Sequence, residues 1–122
     1  SFRYFYNYRI MKQNPDLPAL TFAASAFAAL GSEQRLSILR RLVRAGPEGL
    51  PIGELGEAAG ITGSVLTHHL KQMVSAGLLQ QRRDGRRIIC AVDYDQIRPL
   101  SDYLLHECCA DQGGHTPGGH HG

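Results

Sequence analysis

Gly60-Ile61-Thr62-Gly63-Ser64-Val65-Leu66-Thr67-His68-His69-Leu70-Lys71-Gln72-Met73-Val74-Ser75-Ala76 is the stretch whose reading decides the fold. Gly60-Ile61-Thr62-Gly63 is a tight glycine-containing turn between two helical patterns, which is the spacing of a helix-turn-helix. Before it, Ile52 to Ala59 reads as a short helix, with Pro51 near its start and Gly60 just past its end. After it, Thr62 can cap a helix running to about Ala76, with Val65, Leu66, Leu70, Met73 and Val74 as the expected buried face. Gly77 closes that helix. Leu78 to Arg83 and Arg86 to Val92 then read as two strands joined by Asp84-Gly85, a pair suited to a type I′ turn.

Working outward, Pro18 to Leu30 reads as a helix with Leu20, Ala23, Ala24, Phe27, Ala28 and Leu30 on its apolar face. Ser32 caps a second helix that runs to Ala45 on Leu36, Ile38, Leu39, Leu42 and Val43 and stops at Gly46-Pro47. A last helix is expected over Asp95 to Cys109, with Pro99 marking its true first turn because proline lacks an N–H for an interior position. The fold expected is therefore mainly α with a β-hairpin. It is a winged helix-turn-helix of about five helices and a two-stranded wing.

One domain fits the 122 residues. Residues 17–110 form it, preceded by a leader or arm over 1–16 and followed by a Gly/His-rich tail over 111–122 that offers no core. Met11-Lys12 reads as a natural start, which would make the ten residues before it a leader. No stretch has the length and apolarity of a membrane span or a signal peptide. The three cysteines are no disulfide framework, so a cytoplasmic protein is expected.

The net charge of +2 says little about partners, but its distribution says more. From Thr62 to Cys90 the basic residues are Lys71, Arg82, Arg83, Arg86 and Arg87, and the sole acid is Asp84. Such a stripe is the footprint of a phosphate-contacting surface. Thr62, Gly63 and Ser64 allow a close backbone approach to DNA at a helix N-terminus, where the dipole favours anions. Ser64 and Thr67 can bond bases or phosphates, and His68 and Lys71 can reach phosphates. The four arginines around the hairpin tip suit the backbone or an adjacent minor groove. No catalytic dyad stands out, so an enzyme is not expected.

Three phrases carry a resemblance. Leu30-Gly31-Ser32-Glu33-Gln34-Arg35-Leu36-Ser37-Ile38-Leu39, Thr62 through Leu70, and Ala76-Gly77-Leu78-Leu79 resemble the ArsR/SmtB family of metalloregulators, over about Phe22 to Cys109. The resemblance implies a homodimeric repressor of double-stranded operator DNA, with the first and last helices at the dimer interface. It also implies symmetric half-sites about one helical turn apart, or a multiple of that.

Effector sites vary within that family. The Cys-x-Cys found in some members on the helix before the DNA-reading helix is missing here, where Ile52 to Glu57 holds no cysteine. A second pattern, a Cys-Cys pair at the end of the last helix with a further cysteine beyond, is similar to Cys108-Cys109, with His115 standing near the third position. Adjacent thiolates suit thiophilic ions such as As(III), Sb(III) or Cu(I). Cys90 is a further thiol on the second wing strand. A third pattern, for Zn(II) or Cd(II), matches Asp93, Asp95 and His106 in spacing, although both aspartates are also ordinary helix caps. The expected function is a repressor that leaves its operator when As(III) binds. The alternatives are a winged-helix repressor sensing oxidants or persulfide through its cysteines, or a Zn(II)/Cd(II) sensor on the last helix.

Overall fold

The computed structural model describes residues 18–61 and 63–112. In order, these form α1 (Leu20–Leu30), α2 (Glu33–Ala45), β1 (Leu50–Pro51), α3 (Ile52–Ala59), α4 (Gly63–Ser75), β2 (Leu79–Asp84), β3 (Arg87–Val92), α5 (Tyr94–Tyr103) and a 3-10 turn at Ala110–Gln112. The leader over 1–16, the cap at Thr62 and His115 lie outside the described residues.

Local chemistry explains the helix ends. The Ser32 hydroxyl accepts a bond from the Arg35 N–H at 3.3 Å, relieving one of the orphan donors at the start of α2. Gly60, at φ +70, closes α3 and donates its N–H to carbonyls of the last turn.

The core is one cluster. Ile38, Leu42, Leu55, Leu70, Met73 and Leu78 are its largest helix and loop members, and Cys90 and Val92 come from β3. The sheet is antiparallel in the order β1-β3-β2. Its third strand, β1, was not expected. It is two residues long and pairs Leu50 with Cys90 and Pro51 with Ile89. That pairing makes β3 the central strand, which explains the unbroken buried run from Ile89 to Val92.

Four further expectations need correction. The hairpin pairs Asp84 with Arg87, so its turn is Gly85-Arg86 rather than Asp84-Gly85. Among non-glycine residues described, only Cys109 has positive φ, so Arg86 cannot occupy a type I′ turn; Gly85 at φ +66 in the first central position fits type II′.

The second concerns α5, which ends at Tyr103, with Pro99 buried inside it rather than in its first turn. The segment from Leu104 to Cys109 is a series of turns, so Cys108 and Cys109 follow the helix instead of riding on it.

The third is that Leu20, Leu36 and Val43 are 71%, 44% and 45% exposed, and Ala24 and Ala28 are exposed as well. The buried face of α1 is Ala23 and Ala26.

The fourth is the face of α4, which buries Leu66, His69, Leu70 and Met73, while Val65 and Val74 face outward.

Candidate nucleic-acid interface and thiol pair

The helix-turn-helix consists of α3, the turn through Ile61 and α4. Ile61 is buried, and its N–H donates to the Gly56 carbonyl at 3.0 Å, folding the turn back against α3. Leu66, His69, Leu70 and Met73 recur at i, i+3, i+4 and i+7, which fastens one stripe of α4 to the core. The opposite side presents Gly63, Ser64, Thr67, His68 and Lys71 to solvent, as expected. Val65 and Gln72 share that surface and were not foreseen as part of it. The Thr67 hydroxyl donates to the Gly63 carbonyl at 3.4 Å, and His68 and Gln72 are bonded at 3.2 Å.

His69 is one of two buried polar residues described. Its partners are side chains of α2. Nε2 lies 2.8 Å from the Gln34 Oε1, and Nδ1 lies 3.3 Å from the Arg35 Nη1. Arginine can only donate. Nδ1 must therefore accept, so the proton is on Nε2 and donates to Gln34. Burial first, then the charges of Arg35 and His68, hold the His69 pKa below the ordinary value. Arg35 also donates from Nε to the Ala29 carbonyl at 2.5 Å. These bonds tie α1, α2 and α4 together.

The four wing arginines are all exposed. Arg87 lies 3.6 Å from the Asp84 carboxylate across the turn, and Arg82 donates to the Glu48 carbonyl at 3.4 Å. The side chains of Arg83 and Arg86 have no hydrogen bond or ion pair to any described residue.

The Cys108 and Cys109 sulfurs stand 3.0 Å apart, with Cys108 exposed and Cys109 half-buried. The left-handed φ of +65 at Cys109 accompanies this turn. The hydrogen bond with Cys108, followed by burial and by the charge of Cys108, pushes the Cys109 thiol pKa up.

Cys90 is fully buried in β3, where Gln81 donates to its sulfur at 3.3 Å. Burial raises its pKa, against the smaller opposing effect of that bond. No group of three or more metal-binding side chains gathers among the described residues. Cys90 therefore does not join the pair. Nor do Asp93, Asp95 and His106 form one site within the chain. Asp93 precedes α5 and His106 follows it, so a ten-residue helix, about 15 Å long, separates them.

Three helices packed under a small sheet, with a solvent-facing helix after a tight turn and a basic hairpin behind it, define a winged helix-turn-helix protein. The sequence comparisons agree with this class. A family described as a helix-turn-helix domain matches residues 30–82. The chain is 38% identical to a helix-turn-helix transcriptional regulator, YceK, of Bacillus subtilis, over 67% of this chain and 77% of that one. It is 36% identical to a putative arsenical resistance operon repressor, ArsR, of Halobacterium salinarum, over 57% of this chain and 53% of that one. The crystal structure of NolR from Sinorhizobium fredii superposes with a TM-score of 0.58 at 28% identity, covering 70% of this chain and 83% of that one. The chain belongs to the ArsR family of DNA-binding transcriptional regulators, which are not enzymes.

Proposed function

We propose that the protein is a homodimeric repressor that releases its operator when As(III), or its congener Sb(III), bonds to Cys108 and Cys109. The observation that carries this reading is the pair of accessible thiols 3.0 Å apart. Arsenous acid would exchange two hydroxyls for two sulfurs, and the thiol protons would leave in two water molecules. A third bond would keep a hydroxyl or take a donor such as His115. The arsenical-resistance name of the Halobacterium relative points the same way. Zn(II) and Cd(II) are supported less, since Asp93, Asp95 and His106 do not meet within the chain. The oxidant alternative loses Cys90 as a partner for the pair because that thiol is buried in the sheet.

Exposed apolar residues support the dimer. Leu20 on α1 and Leu104 and Leu105 after α5 are 71%, 66% and 74% exposed, on or next to the two helices that the family resemblance assigns to the interface.

A route for coupling follows from the backbone. The Asp93 N–H, where α5 begins, donates to the Leu78 carbonyl between α4 and the wing. A shift of α5 on ion binding thus pulls on the base of the DNA-reading unit. The coupling expected is about 1–3 kcal/mol. In a gel-shift titration, arsenite releases the wild-type protein from DNA, and the Cys108→Ser, Cys109→Ser double variant stays bound. Release of that variant by arsenite at the same concentration would overturn the reading. Antimonite, Zn(II), Cd(II) and Cu(I) run in parallel identify the ion.

On the DNA side, Gly63, Ser64, Thr67, His68 and Lys71 face the major groove. Arg82, Arg83, Arg86 and Arg87 lie along the phosphates. Arg83→Ala with Arg86→Ala makes the dependence of log K on log salt less steep by about 2 per protomer, at roughly 0.9 for each phosphate left without its arginine. Fluorescence anisotropy over a salt series checks this, and an unchanged slope would remove the wing from the interface.

A further inference from the structure

A second basic surface lies away from α4 and the wing. Ser37, Arg40, Arg41 and Arg44 recur at three- and four-residue intervals along α2. At 3.6 residues per turn they share an arc of about 100°. The arc faces away from the buried stripe of Ile38, Leu39 and Leu42. With Val43 and with Ala58 of α3, these four residues line an open groove of about 420 Å³. Arg40 and Arg44 are exposed and Arg41 is half-buried. None of the three guanidinium groups has an ion pair or hydrogen bond to a described residue. The sole acid on α2 is Glu33, in its first turn.

Three guanidinium groups on one helical face, with no counter-charge among the described residues, repel one another unless an anion lies among them. The α2 backbone needs at most one of them, since a single cation suffices to complement the dipole of a last helical turn. A solvated helix face usually interleaves both signs of charge, and this one does not. The groove is also open to solvent and has the Ser37 hydroxyl beside the arginines. It fits an extended chain of anions better than a compact metabolite. Arginine forks match phosphate oxygens two at a time. Because Ala58 belongs to α3, the patch borders the first helix of the helix-turn-helix and continues the DNA-reading unit along its flank.

We propose that the Ser37, Arg40, Arg41 and Arg44 face of α2 is an auxiliary phosphate-binding surface that holds the DNA backbone outside the segment read by α4 and the wing. The partner is duplex DNA flanking the operator, contacted without regard to base sequence. The footprint of the protein is then longer than its helix-turn-helix and wing require. This rests on the assignment of α4 and the wing to DNA. It adds a contact that the assignment neither needs nor implies.

The test compares two duplexes. One is selected by the protein from a random pool and trimmed to the ends of its half-sites. The other is the same duplex extended by about one helical turn, roughly 10 base pairs, at each end. The variant is Arg40→Gln with Arg44→Gln, both at exposed sites where glutamine keeps the helix propensity. The wild-type protein is expected to bind the extended duplex more tightly and with a steeper salt slope. The variant should lose that advantage, with its slope on the extended duplex flatter by about 2 per protomer. On the trimmed duplex the variant and wild type should match, which also shows that the variant is folded. Arg40→Lys with Arg44→Lys, which keeps the charge, should restore most of the slope. If extension changes neither affinity nor slope, or if the variant loses equally on both duplexes, the flanking-contact proposal falls while the DNA-reading assignment stands. If the wild-type protein binds neither duplex, both fall.

Discussion

Gly49→Ala lowers the melting temperature by roughly 10 °C or more, the largest effect expected of a single methyl group in this chain. Two costs combine. Gly49 has φ +72, a left-handed backbone that a side chain opposes by about 1–2 kcal/mol. A Cβ there would also overlap the Cys90 carbonyl, 2.9 Å from its carbon and 3.0 Å from the Ala91 Cβ. The obstruction is backbone of the central strand, so no rotamer change relieves it, and overpacking of that kind adds about 1–3 kcal/mol. The position matters for function because Gly49 leads directly into β1, whose pairing with β3 ties the start of α3 to the base of the wing. Gly60→Ala is the control. Gly60 has a similar φ of +70, but nothing lies within 4 Å of its would-be Cβ. It bears the backbone cost alone, about 1–2 kcal/mol. Thermal unfolding of the two variants side by side separates strain from overlap. Equal losses would show that the close approach to Cys90 contributes nothing.

That tether was not legible in the sequence, and the reason is physical. A two-residue strand containing a proline shows no alternation, and its pairing is visible only once β3 is placed beside it. Helix limits were easier, because Ser32, Gly46-Pro47 and Gly60 act on their immediate neighbours. The inward face of α4 was legible in part. Taking every aliphatic residue as buried put Val65 and Val74 inside. At 100° per residue, each lies about a quarter turn from the centre of the Leu66, His69, Leu70 and Met73 stripe. His69 lies within that stripe. Its residue type concealed it, since a buried imidazole depends on partners from α2 that no local pattern announces. The one-residue shift of the wing turn arose similarly. Asp84-Gly85 carries a strong type I′ signal, but the Asp84–Arg87 pair extends the ladder by one step and moves the turn.

The thiol pair was legible as a pair but not as a place. Pro99, lacking an N–H for an interior position, argues against an early start to the last helix. The helix begins at Tyr94 regardless, and its single missing N–H at Pro99 is accommodated. Its end at Tyr103 leaves Cys108 and Cys109 in turns that bring adjacent sulfurs together. On a regular helix they would point about 100° apart. The structure thus removes the objection that neighbouring helical thiols diverge.

His69→Leu is expected to lower stability by about 1–3 kcal/mol at neutral pH, with a loss of DNA affinity beyond what the unfolded fraction explains. Leucine fills similar space but leaves the Gln34 Oε1 and the Arg35 Nη1 without their partner. Water can reach the exposed Gln34, which sets the lower end of that range. Arg35 would still hold the Ala29 carbonyl, so α1 and α2 stay joined while α4 loses its polar anchor to them.

The pH dependence distinguishes this role from simple packing. The folded His69 pKa is depressed below 6.5, so the unfolded chain takes up the proton first as pH falls. Between the two pKa values the unfolded state binds more protons, and stability rises with pH. The contribution of His69 is therefore complete above about pH 6.5 and is lost as pH drops through the folded value. Protonation would also turn Nδ1 into a donor facing the Arg35 guanidinium, breaking the anchor directly. Urea unfolding of wild type and His69→Leu should give curves whose midpoints converge as the solution is acidified. A gap that stays constant with pH would mean that His69 only fills space, and the tie between the DNA-reading helix and α2 would then be one of shape alone.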